Sequence, residues 1–239
     1  MRATLLLALP LSLALGSVPA LGKTRAGAIR NYVHGIEIPA VANAPFRARV
    51  LVTWDQTLDN GSVVSRKYYT MVARDSQGRV HRETRSFIPA DSSDDPPLRG
   101  LTIIDPVSAT RTVCTEASMK CASAQFRPQL DLAAVSDGQA PASTSDITRQ
   151  SLGNQTIEGL SVTGTRESPA GGAASQESSS VPYTDVWYST DLHMPVEVIR
   201  NSPQLGRVTL RVTDLVRGEP DASWFAIPDG YRLKGGVIH

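Results

Sequence analysis

Apolar and polar side chains alternate along several stretches of this chain, and that alternation limits its fold more than any other feature. In residues 46–55, apolar residues are interleaved with mostly polar ones, and the same period recurs at 160–165 and 207–213. A period of two is typical of half-buried strands with one face in water. The chain is therefore expected to be mainly β.

Turn-forming residues separate these stretches. They occur at 59–61, at 75–78, near Gly153 and at 203–206, where Asn, Asp and Gly accept the positive φ of hairpin turns. Two short helices are predicted at 24–33 and 145–151. Strands are predicted at 46–57, 62–74, 79–88, 100–105, 110–115, 120–127, 155–166, 183–189, 195–201 and 206–217.

Sequential strands with short connections form a meander of antiparallel hairpins. Because each strand has one apolar face, such a sheet must curl or pack on a second layer. We expect a strongly curved antiparallel sheet, or half-barrel, with few short helices and a concave apolar side. It should form a single β domain over 45–234, with mobile loops near 89–98 and 169–180, which are rich in proline, acids or small residues.

The N-terminal segment predicts export. Arg2 precedes an apolar run at 5–16. The small residues expected before a signal-peptide cleavage site follow that run and end at Ala20. That run has the length of a signal-peptide core and is too short for a membrane-spanning helix. We predict a signal peptide over 1–20, with cleavage after Gly22 as the alternative, and an N-terminal extension over 21–44. The mature chain is expected to lack a transmembrane segment and to be periplasmic or secreted.

The charge balance argues against nucleic acid as a partner. The predicted signal peptide removes one of the 24 basic residues and none of the 23 acidic ones. A net charge near zero provides no general attraction to a polyanion.

The only two cysteines, Cys114 and Cys121, flank a short polar centre. If Ala117 and Ser118 form the turn of a hairpin, the cysteines are directly opposed, at a spacing that suits a disulfide. In an oxidising compartment such a pair usually closes. We predict a structural disulfide; free thiols or a redox pair are the alternatives.

No sequence motif indicates catalysis. The chain lacks a nucleophile elbow, a phosphate loop and a metalloprotease helix, and its histidines, His34, His81, His193 and His239, lack ligand spacing. Asp191 and His193 lie two positions apart in a predicted turn, so we interpret them as a solvated pair and not as a catalytic dyad. We therefore predict a protein that is not an enzyme, with no metal site and no cofactor.

A basic cluster on one predicted hairpin, to which Arg66 and Lys67 also belong, is the candidate contact site for a partner or an anion. Residues 79, 81, 83 and 85 share one face, while Val80 and Arg82 share the other. A buried Arg82 would need a carboxylate, which Glu158 or Glu197 could supply. The alternative is a wet strand face balanced by acids. The candidate contact residues are Arg74, Arg79, His81, Arg82 and Arg85.

Large apolar residues are the candidate ligand-binding surface, with plain core packing as the alternative. Trp224 and Phe225 are expected to plug the end of the barrel instead. The candidate lining residues are Trp54, Tyr69, Met71, Phe87, Trp187, Val198, Leu210 and Val212.

The block 185–233 carries a family resemblance. It contains an acid-Val-Trp-Tyr strand, the strand MPVEVIR, the long strand RVTLRVTDL and a terminal Trp-Phe-x-Ile-Pro plug. In this pattern the chain distantly resembles the LolA/RseB-like superfamily of lipoprotein carriers and envelope sensors. It also resembles a family of uncharacterised exported proteins of acidobacterial type. The stretches that carry this second resemblance are 45–46, 74–83, 151–159 and 217–221.

The superfamily resemblance implies a half-barrel whose hydrophobic cavity takes acyl chains or a hydrophobic segment of a partner. The chain departs from the carriers in lacking clear helices that would close the cavity and in having two extra polar loops. We expect a non-catalytic exported binding protein for a lipid, an acyl chain or a lipoprotein segment. The alternative is an envelope regulator or scaffold that binds another protein. An enzyme of unrecognised type would require polar groups converging in a cleft.

Overall fold

The structure, a computed structural model, describes residues 36–125, 147–170 and 181–234. These residues all lie in one compact unit, Gly35–His239. Short 3₁₀ turns occur at Glu116–Ser118 and Ala222–Phe225. The strands are β1 Phe46–Thr57, β2 Val63–Arg74, β3 Val80–Arg85, β4 Ile88–Pro89, β5 Leu98–Asp105, β6 Thr110–Thr115, β7 Lys120–Gln125, β8 Ile147–Ile157, β9 Leu160–Pro169, β10 Tyr183–Ser189, β11 Met194–Ser202, β12 Gly206–Arg217 and β13 Arg232–Leu233.

All of these strands belong to one open sheet. Its order is β13-β7-β6-β5-β3-β2-β1-β12-β11-β10-β9-β8, and β4 pairs with β2 beside β3. Every pairing is antiparallel except that of β13 with β7. The predicted mainly β, antiparallel fold with few short helices is therefore confirmed. In the part of the chain that the structure describes, no helix has the length and hydropathy needed to cross a bilayer.

Most predicted strands are confirmed to within two residues, but the region after residue 146 corrects the prediction. Residues 147–151 belong to β8 and not to a helix. The strand predicted at 155–166 is divided, because Glu158 and Gly159 both adopt positive φ and turn the chain between β8 and β9. Gly153 is not in a turn. It lies within β8, where the register with β9 shifts.

Several predicted segments fall partly or wholly outside the described residues, including residues 21–35 of the N-terminal extension and the ends of the segments predicted at 120–127 and 145–151. The largest parts outside belong to three others. These are the signal peptide, the helix at 24–33 and most of the loop predicted at 169–180, of which Pro169 ends β9. The loop predicted at 89–98 is irregular from 90 to 97, while Pro89 belongs to β4 and Leu98 begins β5.

Contacts across the sheet show its curvature. Arg74 at the end of β2 donates to the carbonyl of Leu192, although β1 and β12 lie between β2 and β11. At the same end of the sheet, the backbone N–H of Leu215 in β12 donates to Glu158 in the β8–β9 turn. Strands are about 4.8 Å apart, so a flat sheet would hold each pair well beyond contact. The sheet therefore curls toward the side that carries Arg74.

One side of the central strands is almost entirely aliphatic, and we call it the apolar face. Directly opposed residues of antiparallel strands share a side of the sheet, so the register assigns its members. All of them are buried. The apolar face comprises Ala48, Val50, Val52 and Trp54 of β1, Val208, Leu210 and Val212 of β12, and Val196 and Val198 of β11.

A second core lies on the other side of the sheet, under β5, β6 and β7. Phe225 of the second 3₁₀ turn packs there with Leu101, Ile103 and the disulfide. Trp224 and Tyr231 cover this cluster. The C-terminal segment thus seals the β5–β7 end of the sheet.

The disulfide prediction is confirmed. Cys114 and Cys121 are directly opposed on β6 and β7, with Cα atoms 4.0 Å apart and a sulfur–sulfur distance of 1.98 Å. Thr115 opposes Lys120, also as predicted. The Met119 N–H closes the intervening turn onto the carbonyl of Glu116, in a left-handed conformation with φ 48°.

Candidate binding face

The strand register separates the predicted ligand-lining residues onto two sides of the sheet. Val52 opposes Leu210, and Leu210 opposes Val198, on the apolar face. Leu51 opposes Tyr69 on the other side. The structure thus brings together Trp54, Val198, Leu210 and Val212 on the apolar face, whereas it places Tyr69, Met71 and Trp187 on the opposite face.

Phe87 also lies on the side of the apolar face, where its ring covers side chains of the strands. It lies in the irregular segment between β3 and β4 and is only half-buried. Its ring contacts Tyr68 edge-on at 4.7 Å and Trp54 at 5.9 Å between centroids. Tyr68 opposes Val52, so Phe87 lies on the apolar face at its Trp54 end.

Burial raises the pKa of Tyr68 above its usual value, while Arg82 opposes that effect. Such burial fits a phenol enclosed between the apolar face and the ring of Phe87. Trp54 itself is held in place at this end of the apolar face, because its indole N–H donates to the carbonyl of Leu205 at 2.7 Å.

Arg74 closes the end of the apolar face that lies away from Trp54. Its guanidinium has no exposure. It donates to the carbonyls of Ala44, Pro39 and Leu192 at 2.7–3.0 Å and lies over the Phe46 ring at 5.1 Å. Burial lowers its pKa to about 10, which leaves it cationic at neutral pH. The chain segment before β1 is therefore tied to the β10–β11 turn by one side chain.

The Trp54 end of the apolar face carries arginines. Arg66 opposes Trp54, Trp54 opposes Val208, and Val208 opposes Arg200, so these four residues form one transverse line that we call the Arg66 row. Arg66 is exposed and Arg200 is half-buried. Sequence reasoning did not single out this row, because it depends on the register of four strands and not on spacing within any one of them.

The opposite face of the central strands is polar and partly exposed. The Tyr69 ring lies between Arg49 and Arg85, whose guanidinium carbons are 4.4 and 5.2 Å from its centroid. Its hydroxyl donates to Asp95 at 2.6 Å, and this hydrogen bond raises its pKa. Nearby, Met71 donates its backbone N–H to Glu83. Cations and acids on this face are paired with each other.

The predicted basic hairpin is used largely within the fold. Arg79 pairs with Asp75 at 2.5 Å and lies over Phe225 at 4.8 Å. Arg85 pairs with Glu83 at 2.7 Å. Together with the buried Arg74, these contacts engage three of the five candidate contact residues within the fold. The register places His81 and Glu83 on the side of β3 opposite to Val80 and Arg82. Contacts with Phe225 and Tyr69 place Arg79 and Arg85 on that same side, as predicted from the spacing.

His81 and Arg82 are both enclosed by neighbours. The neutral His81 ring donates its Nδ1–H to the Trp224 carbonyl at 2.7 Å and contacts the Trp224 ring edge-on. Burial lowers the pKa of His81, with smaller opposing effects from that hydrogen bond and from Glu83. Burial also lowers the pKa of Arg82, and Glu37 is the acid that opposes this effect.

The acids suggested as partners of Arg82 are engaged elsewhere. Glu197 pairs with Arg211 at 3.3 Å, and Glu158 accepts from the Leu215 backbone. The suggestion that either supplies a carboxylate to Arg82 is therefore wrong, because each is held by a nearer partner on its own part of the sheet.

Among the described residues, no group of three or more His, Cys, Asp and Glu side chains is placed to hold a metal ion. Asp191 pairs with Arg217 at 3.6 Å, and both side chains are about half exposed. His193 is exposed with positive φ. His34 and His239 lie outside the described residues.

Comparison with known proteins gives matches only at the level of structure. No protein-family model and no curated protein matches this sequence. The MucB protein of the Pseudomonas aeruginosa MucA/MucB complex aligns at a TM-score of 0.40 and 12% identity, covering 81% of this chain and 59% of that one. The chain thus spans less than two thirds of the MucB structure.

Two further structures have lower scores. A LolA-superfamily protein from Nitrosomonas europaea aligns at a TM-score of 0.30 and 9% identity, covering 80% of this chain and 93% of that one. The Mycobacterium tuberculosis lipoprotein LppX aligns at 0.28 and 15%, covering 73% and 87%. One of these matches is described as a LolA-superfamily protein, the superfamily that the sequence distantly resembles. Because these scores are low, we base the functional argument on the chain's own contacts.

Proposed function

We propose that this protein is a non-catalytic exported binding module that holds a lipid, an acyl chain or a lipoprotein segment against its apolar face. The observation that carries the proposal is the position of Phe87. A side chain from a short irregular segment covers Trp54 and Tyr68 at one end of a broad aliphatic surface. An acyl chain could replace that ring at the Trp54 end. To lie further along the face it must also displace the groups that bury Val52 and Leu210, which have no exposure.

The chemistry of the apolar face fits such a ligand. From Trp54 to Ala48 its β1 residues span six positions, or about 20 Å at roughly 3.4 Å per residue. That length is comparable to an extended long-chain acyl group. The side chains along it are aliphatic, so they offer no directional contact and favour a ligand recognised by apolar area.

The experiment that tests the proposal is native mass spectrometry of the protein purified from the periplasm, before and after solvent extraction. A stoichiometric lipid that leaves on extraction supports the proposal. The extracted protein should then take up added fatty acids, and its affinity should rise about fourfold per added methylene, because each buried methylene contributes about 0.8 kcal/mol. An apo mass with no uptake of any fatty acid or lipopeptide overturns it.

Phe87 provides a variant specific to this mechanism. Phe87→Ala should speed uptake of fatty acid, whereas Phe87→Leu, which still covers Trp54, should not. Tyr69→Ala is the matched control, since it removes an aromatic ring from the opposite face. Uptake that is equal in all three variants would show that Phe87 is ordinary core packing.

A second candidate function, an envelope regulator or scaffold that binds another protein, is favoured by β8. This strand of 11 residues ends the sheet and pairs with β9 on one side. Residues 153–156 along it are exposed. Edge strands of this kind can accept a partner strand. A proline at Gln155 should abolish co-purification of such a partner without changing fatty acid uptake, and unchanged co-purification would argue against this surface.

A further inference from the structure

The arginines of the Arg66 row lie where the aliphatic part of the apolar face ends. This inference rests on the proposed function and specifies its ligand. We propose that the ligand is a single-chain amphiphile with an anionic headgroup, and that the headgroup binds at the Arg66 row while the chain lies along the apolar face.

The register sets the geometry of this headgroup site. Arg66 and Arg200 occupy the two ends of the row, with Trp54 and Val208 between them on the two intervening strands. Three strand spacings separate their backbones, which is about 14 Å. Both side chains leave the sheet on the apolar face, so they flank the apolar floor formed by Trp54 and Val208.

Arg66 has the chemistry that an anionic headgroup requires. It is exposed, and none of the ion pairs formed among the described residues engages it. A guanidinium presents a planar set of N–H donors that can bind a carboxylate or phosphate at two points. The nearest acid along β1, Asp55, lies on the opposite face and accepts from Ser65.

The other end of the apolar face cannot take the headgroup. The Arg74 guanidinium there is fully buried, and backbone carbonyls already accept its hydrogen bonds. An anion at that end would have to displace the segment before β1. The orientation of the ligand is therefore fixed, with the chain end toward Arg74 and the charged end toward Arg66.

Phe87 connects the headgroup site to entry of the ligand. Pro89 of β4 pairs directly with Arg66, and Phe87 lies two residues earlier. Displacement of the Phe87 ring would therefore expose the Trp54 floor next to the Arg66 guanidinium. A ligand whose charge is first held by Arg66 would have its chain positioned at that opening.

The test compares palmitic acid with hexadecanol, which has the same chain length and no charge. Both are titrated into solvent-extracted wild type, Arg66→Gln and Arg47→Gln, at low and high salt. Arg47 is the matched control, because it is an exposed arginine of β1 on the opposite face. Circular dichroism confirms that each variant is folded.

We expect the acid to bind wild type about tenfold or more tightly than the alcohol, because a charge-assisted hydrogen bond contributes that much. Salt and Arg66→Gln should each remove that preference, and Arg47→Gln should preserve it. Equal binding of acid and alcohol, or an effect of Arg66→Gln no larger than that of Arg47→Gln, overturns the headgroup site and leaves the proposed function standing. Binding of neither ligand to wild type, together with an apo mass and no uptake of lipopeptide, instead overturns the proposed function itself.

Discussion

Arg74 donates from Nη2 to the backbone carbonyl of Leu192 at 2.7 Å, across the two strands that separate β2 from β11. The same guanidinium holds the carbonyls of Pro39 and Ala44. No acid is among the partners of this buried cation. Its contribution is therefore to satisfy three buried carbonyls at once and to fix the curl of the sheet.

Arg74→Met should lower the free energy of unfolding by about 3 kcal/mol or more. The substitution keeps an unbranched side chain but leaves three carbonyls without their donor, and each unsatisfied buried group costs about 1–3 kcal/mol. Urea unfolding followed by tryptophan fluorescence measures the loss.

Arg47→Met is the control for Arg74→Met, because Arg47 is exposed on the same sheet. It should change stability by less than about 0.5 kcal/mol. A loss in Arg74→Met as small as that of the control would mean that water or other donors reach these carbonyls.

The sequence predicted the strands and the register of the Cys114–Cys121 hairpin, but not which residues of the central strands share a face. Strand β1 begins and ends where its alternation does, because one face of it is buried along its whole length. Which residue of β2 opposes Trp54 depends on the turn between these strands and on the packing of both sheet faces. Tyr69 and Trp54 were therefore assigned to one surface although they lie on opposite sides.

The error at β8 has a different cause. Its residues are mostly exposed because it lies at the edge of the sheet, so it has no apolar period to reveal a strand. Gly153 adds a positive φ of 82° inside the strand, which in sequence is indistinguishable from a turn. Pairing with β9, a non-local contact, decides the structure of this segment.

Gly164→Ala should destabilise the protein by about 1–3 kcal/mol. Gly164 opposes Trp187, and a Cβ at this position would lie 2.5 Å from the indole ring. The ring must therefore shift. Thermal unfolding checks the loss, and near-ultraviolet circular dichroism should report the movement of the tryptophan.

A double variant distinguishes this steric conflict from a general effect on the strand. In the Trp187→Leu background the same Gly164→Ala change should cost much less, because a leucine side chain leaves room for the methyl group. Thr165→Ala serves as a neighbouring control in β9. An equal cost of Gly164→Ala in both backgrounds would refute the contact as its cause.

His81 should make folding sensitive to acid. Its pKa is lowered from 6.5 in the folded protein because burial disfavours the charged ring. The unfolded chain therefore binds a proton more readily, so the free energy of unfolding should fall as the pH drops below about 6.5. Urea titrations at pH 7 and pH 5 measure this fall.

His81→Gln should show a smaller decrease between those two pH values, since glutamine does not titrate. His193→Gln, which replaces an exposed histidine, is the matched control. A decrease in His81→Gln equal to that of wild type would assign the acid sensitivity to other groups.

Asp185→Asn should cost about 3–5 kcal/mol, because it leaves the buried Arg166 cation without its counter-charge. The two side chains form a pair with two hydrogen bonds of 2.6 and 2.8 Å, and each residue is only 5% exposed. Asp185 raises the pKa of Arg166, and the guanidinium also lies over the Tyr183 ring at 4.0 Å. Chemical unfolding provides the measurement.

Two comparisons separate the cost of an unpaired charge from the value of the pair itself. Asp191→Asn breaks an ion pair whose side chains are about half exposed, and it should cost less than about 1 kcal/mol. The double variant Arg166→Met/Asp185→Leu removes both buried charges, and it should recover most of the stability that Asp185→Asn loses. If the double variant is as unstable as Asp185→Asn, the ion pair itself, and not the stranded arginine, stabilises the β9–β10 hairpin.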